Sequence, residues 1–127
     1  PTTKGILMNA YMLMPKMQLV GNYTQNGEDA AYIGGARAVA FQFFADGWGG
    51  GGSGGSVVFT IEHATSNNDD HFVDSSATAT INQGSSSEIV VKDINVMAAY
   101  VRVKAVVSLN TNTSVDVKVQ MNVMGGR

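Results

Sequence analysis

Apolar side chains recur at every second position along most of this chain, and a period of two is the signature of strands with one buried face. Val39, Phe41 and Phe43 alternate with Ala38, Ala40 and Gln42, and Val57, Phe59 and Ile61 with Val58, Thr60 and Glu62. Ala77, Ala79 and Ile81 repeat the pattern, whereas Ile89-Val90-Val91 is a short run with no preferred side. Near the C-terminus Val101, Val103, Ala105, Val107 and Leu109 oppose Arg102, Lys104 and Ser108. Val115, Val117, Val119, Met121 and Val123 likewise oppose Asp116, Lys118, Gln120 and Asn122. The turn-forming run Asn110-Thr111-Asn112-Thr113 lies between these two segments, so they are predicted to form a long β-hairpin.

One apolar and one polar side per strand is the mark of antiparallel sheets with a solvated face. No segment of ten or more residues carries a helical stripe. The predicted fold class is all-β: an antiparallel two-sheet β-sandwich or jelly roll with an N-terminal arm. A chain of 127 residues is enough for one domain. At that size folding buries roughly two-thirds of the unfolded surface.

Composition narrows the function. Hydrophobic residues are 44% of the chain and charged residues 14%, with a net charge of −2. Disorder calls for the opposite balance, and a nucleic-acid binder would show a basic patch that is missing here. The absence of cysteine excludes disulfides, thiol nucleophiles and cysteine zinc sites. No apolar run approaches the ~20 residues of a membrane helix. Pro1-Thr2-Thr3 fits an end left by removal of an initiator methionine, and no signal-peptide pattern follows. The expectation is assembly in the cytoplasm, with neither membrane nor nucleic acid as partner.

Candidate chemical motifs lose to structural readings. Gly47-Trp48-Gly49, continued through Gly55, leads into Val57-Val58-Phe59, with no lysine before Lys92. A phosphate loop would need Lys-Ser/Thr and a helix start. His63 and His71 bracket Asn67, Asn68, Asp69 and Asp70, which is turn composition without calcium-loop spacing. Glu28-Asp29 and Asp69-Asp70 are adjacent pairs, and neighbours on a strand face opposite ways. Gly51-Gly52-Ser53-Gly54-Gly55 fits the letters of Gly-x-Ser-x-Gly, but it leads into Val57-Val58-Phe59 and not into the helix that a nucleophile elbow opens. The chain is predicted not to be an enzyme and to need no cofactor or metal.

Two segments depart from the alternation. Residues 1–20 hold four of the seven methionines, and Pro15 bars a continuous helix. They read as an apolar arm or first strand ahead of a sandwich over residues 21–127, with a glycine-rich loop at 47–55. Either the arm packs on its own sandwich or it adds to a neighbour, since methionine suits adaptable surfaces and a sheet edge templates strand addition. The candidate interface residues are Ile6, Leu7, Met8, Tyr11, Met12, Leu13 and Met14, together with Trp48, which is expected to lie clear of the core on a mobile tether.

The stretch Gly55-Ser56-Val57-Val58-Phe59-Thr60-Ile61-Glu62-His63-Ala64-Thr65-Ser66-Asn67-Asn68-Asp69 resembles a phrase found in small structural proteins of tailed bacteriophages. Ala99-Tyr100-Val101-Arg102-Val103-Lys104-Ala105 is similar to a strand of the same group, and the resemblance runs from Gly55 to Val123. The nearest members are the jelly-roll-like head decoration, or cement, proteins. The resemblance implies a homo-oligomer, often a trimer, bound to the major capsid protein on the capsid surface of the virion. A tail, neck or fibre component is a competing expectation. So is a carbohydrate-binding module, which would use aromatic platforms drawn from Tyr11, Tyr23, Tyr32, Trp48 and Tyr100.

Overall fold

The computed structural model describes the backbone of residues 8–125 and the side chains of residues 11–125. The alternating segments become strands: β1 (Met8–Leu19), β2 (Tyr23–Thr24), β3 (Ala31–Tyr32), β4 (Ala38–Gly49), β5 (Ser56–Ala64), β6 (Val73–Asn82), β7 (Ser87–Asp93), β8 (Tyr100–Ser108) and β9 (Ser114–Met124). Among the described residues the only helical pieces are single 3-10 turns at Gly27–Asp29, Asp69–His71 and Ile94–Val96.

The strands form two antiparallel sheets, ordered β1-β9-β4-β7 and β2-β8-β5-β6, with β3 also on β8. Because β2 and β3 pair with successive parts of β8, they act as two halves of one edge strand. The chain changes sheet at every connection except β2–β3 and β5–β6. Eight strand positions in two interlocked sheets make a jelly roll, so the all-β sandwich is the fold the alternation predicts. The inner faces meet in one core. Val39, Phe41 and Phe43 of β4 oppose Val57, Phe59 and Ile61 of β5, all fully buried, and the Phe43 and Phe59 rings stack with centroids 5.1 Å apart.

One expectation needs correction. The predicted C-terminal hairpin does not form: β8 belongs to one sheet and β9 to the other, so residues 109–113 arch over the end of the sandwich. Alternation identifies the buried face of a strand but not its neighbour, and both sheets here have apolar inner faces. For the N-terminal segment, the structure has a first strand, one of the two readings the sequence left open. Residues 8–19 form strand β1 along β9, with Met14 opposite Val119 and Leu19 opposite Val115. The register shifts between Met12 and Met14 and again between Met14 and Met17. Each such bulge offsets the pairing, which is why neither a strand nor a helix period is visible there.

The glycine-rich loop is tied down. Ser53 N–H donates to Thr111 Oγ1 (2.9 Å), Asn110 Nδ2 donates to the Ser53 carbonyl (2.8 Å) and Gln83 Nε2 to the Gly52 carbonyl (3.0 Å). The approach to the arch is so close that a Cβ on Gly52 would lie 2.3 Å from the Thr111 carbonyl carbon. Glycine is here a packing requirement, not a source of mobility.

Candidate interaction surface

The sandwich has two outer faces, and they differ in chemistry. On the β2-β8-β5-β6 side, Glu62 and Arg102 face each other across β5 and β8. Arg102 Nε donates to Glu62 Oε1 and Nη1 to Asp69 Oδ1, both at 2.8 Å, while the guanidinium lies 4.3 Å from the centre of the Phe72 ring. Asp69 also accepts the Gly27 N–H. The polar turn after β5 is thus folded over this face as a roof, and Arg102 and Glu62 are buried beneath it. Lys104 Nζ lies 2.7 Å from Asp74 Oδ1, and that hydrogen bond raises the Lys104 pKa against the opposing effect of desolvation.

These carboxylates are occupied by cations and by backbone. His63 Nδ1 accepts the Ala98 N–H at 3.0 Å, and His71 Nδ1 lies 2.7 Å from Ser66 Oγ. Among the described residues no three His, Cys, Asp or Glu side chains converge as a metal site would require. The arrangement is a clamp that fixes a loop.

Among the described residues the β1-β9-β4-β7 side is bare. Two successive rungs across its outer face carry no charge: Met12–Gln120–Gln42–Ile89 and Asn122–Ala40–Val91. Ile89 and Val91 are 60% and 58% exposed and Met12 is 48% exposed. Among the described residues charge appears only towards the ends. Asp46 and Asp116 pair in register beside Lys16 and Lys118 around a shallow cleft, and Lys118 Nζ sits 4.6 Å above the Phe44 ring. Asp93 marks the other end. An uncharged centre of amides, alanine and aliphatics with a charged rim is the anatomy of a protein-contact patch.

Ile6 and Leu7 lie outside the described residues, and of Met8 only the backbone is described, at the start of β1. Tyr11 and Met12 are exposed at 45% and 48%. Leu13 and Met14 are corrected out of the interface set: both are buried in their own core, because the bulge turns two consecutive side chains inward. Trp48 is also corrected. It is delivered by β4, packs half-buried against the core, and its Nε1 is buried with no hydrogen-bond partner among the described residues. A Cβ on Gly55 would lie 2.3 Å from the Trp48 ring. Gly55→Ala is therefore expected to displace the indole, seen as a shift in tryptophan emission and a lowered melting temperature; unchanged emission would mean the ring tolerates the methyl. Gln42, Gln120, Ile89 and Val91 were missed. The signal for the last two was the sideless run Ile89-Val90-Val91, apolar on both faces of one strand.

No family model and no curated protein matches this sequence. Solved structures do. The chain is similar to the exported protein XepA of PBSX, with 14% identity, a TM-score of 0.58, and coverage of 94% of this chain and 38% of that one. It is also similar to VP2 of infectious bursal disease virus in a subviral particle, with 10% identity, a TM-score of 0.58, and coverage of 97% and 33%. For the same virus's Gt strain the values are 11%, 0.56, 98% and 34%. The chain spans about a third of the length of these structures. At these identities the likeness is one of fold.

Proposed function

We propose that this chain is a non-enzymatic virion structural subunit, a capsid decoration or cement protein that stabilises a phage head by binding neighbouring subunits. The observation that carries the reading is the bare outer face of β1-β9-β4-β7: uncharged at its centre, charged at its ends, and flanked by exposed Met12, Ile89 and Val91. Its fold neighbours support a viral setting, since one is named as an exported protein of PBSX and the other forms a subviral particle. On the opposite face the end around Arg102 and Glu62 is roofed by its own loop. The proposed partners are the major capsid protein and further copies of this chain, and the proposed location is the capsid surface.

The test is co-sedimentation of the purified protein with heads that lack it. Ala40→Arg places a charge at the centre of the face, where charged groups are depleted in stable contacts. Head binding is expected to fall at least about tenfold, the equivalent of ~1.4 kcal/mol, with the circular dichroism spectrum and melting temperature unchanged. Equal binding by the variant would move the contact elsewhere, and no binding by the unaltered protein would end the capsid reading.

A further inference from the structure

Among the described residues the two sheets end in four edges, and three of them are blunted. β1 is broken by two register shifts around Met14 and carries Pro15 and Lys16. β2 and β3 are two residues each. In β6 the register shifts opposite Thr60 to Glu62, and Ser75 Oγ accepts the Ala77 N–H at 3.0 Å. Bulges, short strands, proline and lysine are the usual devices against pairing with another chain. β7 differs: it pairs with β4 through seven consecutive positions without a shift, from Ala38–Asp93 to Phe44–Ser87.

The backbone groups that β7 leaves open follow from the hydrogen bonds at its ends. Ala45 N–H donates to the Ser86 carbonyl at 3.0 Å, and Ile94 N–H to the Arg37 carbonyl at 3.1 Å. Both pairs continue the β4–β7 register, in which hydrogen-bonded and non-bonded pairs alternate. Glu88, Val90 and Lys92 therefore direct their N–H and C=O groups at β4. Ser87, Ile89, Val91 and Asp93 direct theirs at the open edge. These four residues include the two most exposed apolar side chains of the strand, Ile89 and Val91.

We infer that β7 is a self-complementary edge that pairs antiparallel with β7 of a second copy about a two-fold axis through Val90. The register is selected by chemistry. A strand joining this edge must place its own open groups opposite residues 87, 89, 91 and 93, and must keep outer faces together. Centred on Val90, Ile89 meets the partner's Val91 in a hydrogen-bonded pair, and Glu88 meets the partner's Lys92, twice by symmetry. Glu88 is exposed, and neither it nor Lys92 takes part in an ion pair among the described residues. Centred on Ile89, the strand would set Glu88 against Val90; centred on Val91, it would set Lys92 against Val90 and Ile89 against Asp93. Only the Val90 register matches opposite charges and apolar pairs together. It joins two four-stranded sheets into one of eight and doubles the bare outer face. Being two-fold, the contact makes dimers rather than rings of three.

The inference rests on the self-assembly part of the proposed function and not on capsid binding. The test is sedimentation velocity over a wide range of concentrations, using the whole chain. A concentration-dependent dimer is expected. Glu88→Lys sets like charges against each other at two symmetric positions and should weaken the dimer about tenfold, the equivalent of ~1.4 kcal/mol. Adding Lys92→Glu to Glu88→Lys should restore it, because the swapped pair is again opposite in sign. Val91→Pro removes a donor that faces the open edge and no bond to β4, so it should abolish dimers and leave the melting transition in place. A protein monomeric throughout, a Glu88→Lys variant that dimerises normally, or a charge swap that fails to restore assembly would each overturn the edge contact. A monomer that still sediments with heads would overturn it while leaving capsid binding intact.

Discussion

Deleting residues 1–16 is expected to leave a chain that no longer folds cooperatively. The deletion removes Leu13 and Met14, both buried in the core, and strips β9 of its partner from Met124 to Val119. Truncating one buried Leu or Met to alanine costs about 2–5 kcal/mol, so losing both costs about 4–10 kcal/mol. A domain of this kind has only about 5–15 kcal/mol to lose, before the unpaired backbone of β9 is counted. Far-UV circular dichroism and a thermal melt of the truncated protein check this. A sharp transition near that of the full chain would mean that β1 is dispensable. Met14→Leu serves as the control, because a volume-conserving exchange should cost less than about 1.5 kcal/mol.

How much of this was legible in the sequence depends on what each pattern encodes. The inward faces of β4, β5, β6, β8 and β9 were readable, because a strand buried on one side must repeat with period two, and Val39, Phe41, Val57, Phe59, Ala77, Val103, Val117 and Val119 all do so. The pairing was not. Val101 to Ser108 and Val115 to Val123 carry the same pattern, yet they sit in opposite sheets, and the turn residues between them suit an arch as well as a hairpin. β1 was hidden for a different reason: two bulges within twelve residues erase the period, leaving apolar density without direction. Trp48 is not legible because glycines around it suggest freedom in a sequence, whereas at Gly52 and Gly55 they allow close approach. For the candidate surface, a sequence marks Gln42 and Gln120 only as polar positions. That they form an uncharged band with Met12 and Ile89 depends on register, which only the folded sheet supplies.

Arg102 offers the sharpest test of the opposite face. In the sequence it is simply the polar alternate between Val101 and Val103, but in the fold it is 8% exposed, hydrogen-bonded to Glu62 and Asp69 and stacked on Phe72. Arg102→Leu leaves Glu62 beneath the loop with Lys104 as its nearest cation, 3.8 Å away. Removing one member of a buried pair costs about 3–5 kcal/mol, chiefly through the charge left behind. The Asp69 contact adds little, since that carboxylate is largely exposed and such pairs contribute about 0–1 kcal/mol. Replacing both Arg102 and Glu62 with leucine removes the stranded charge, and most of the lost stability is expected to return. Chemical denaturation of the two single variants and the double variant supplies the cycle. Hydrogen exchange at the Gly27 amide, which donates to Asp69, should accelerate in Arg102→Leu as the roof loosens. If Arg102→Leu costs under ~1 kcal/mol, the value of a surface pair, then Lys104 or water compensates Glu62 fully and the roof is held by Phe72 and the backbone of the turn instead.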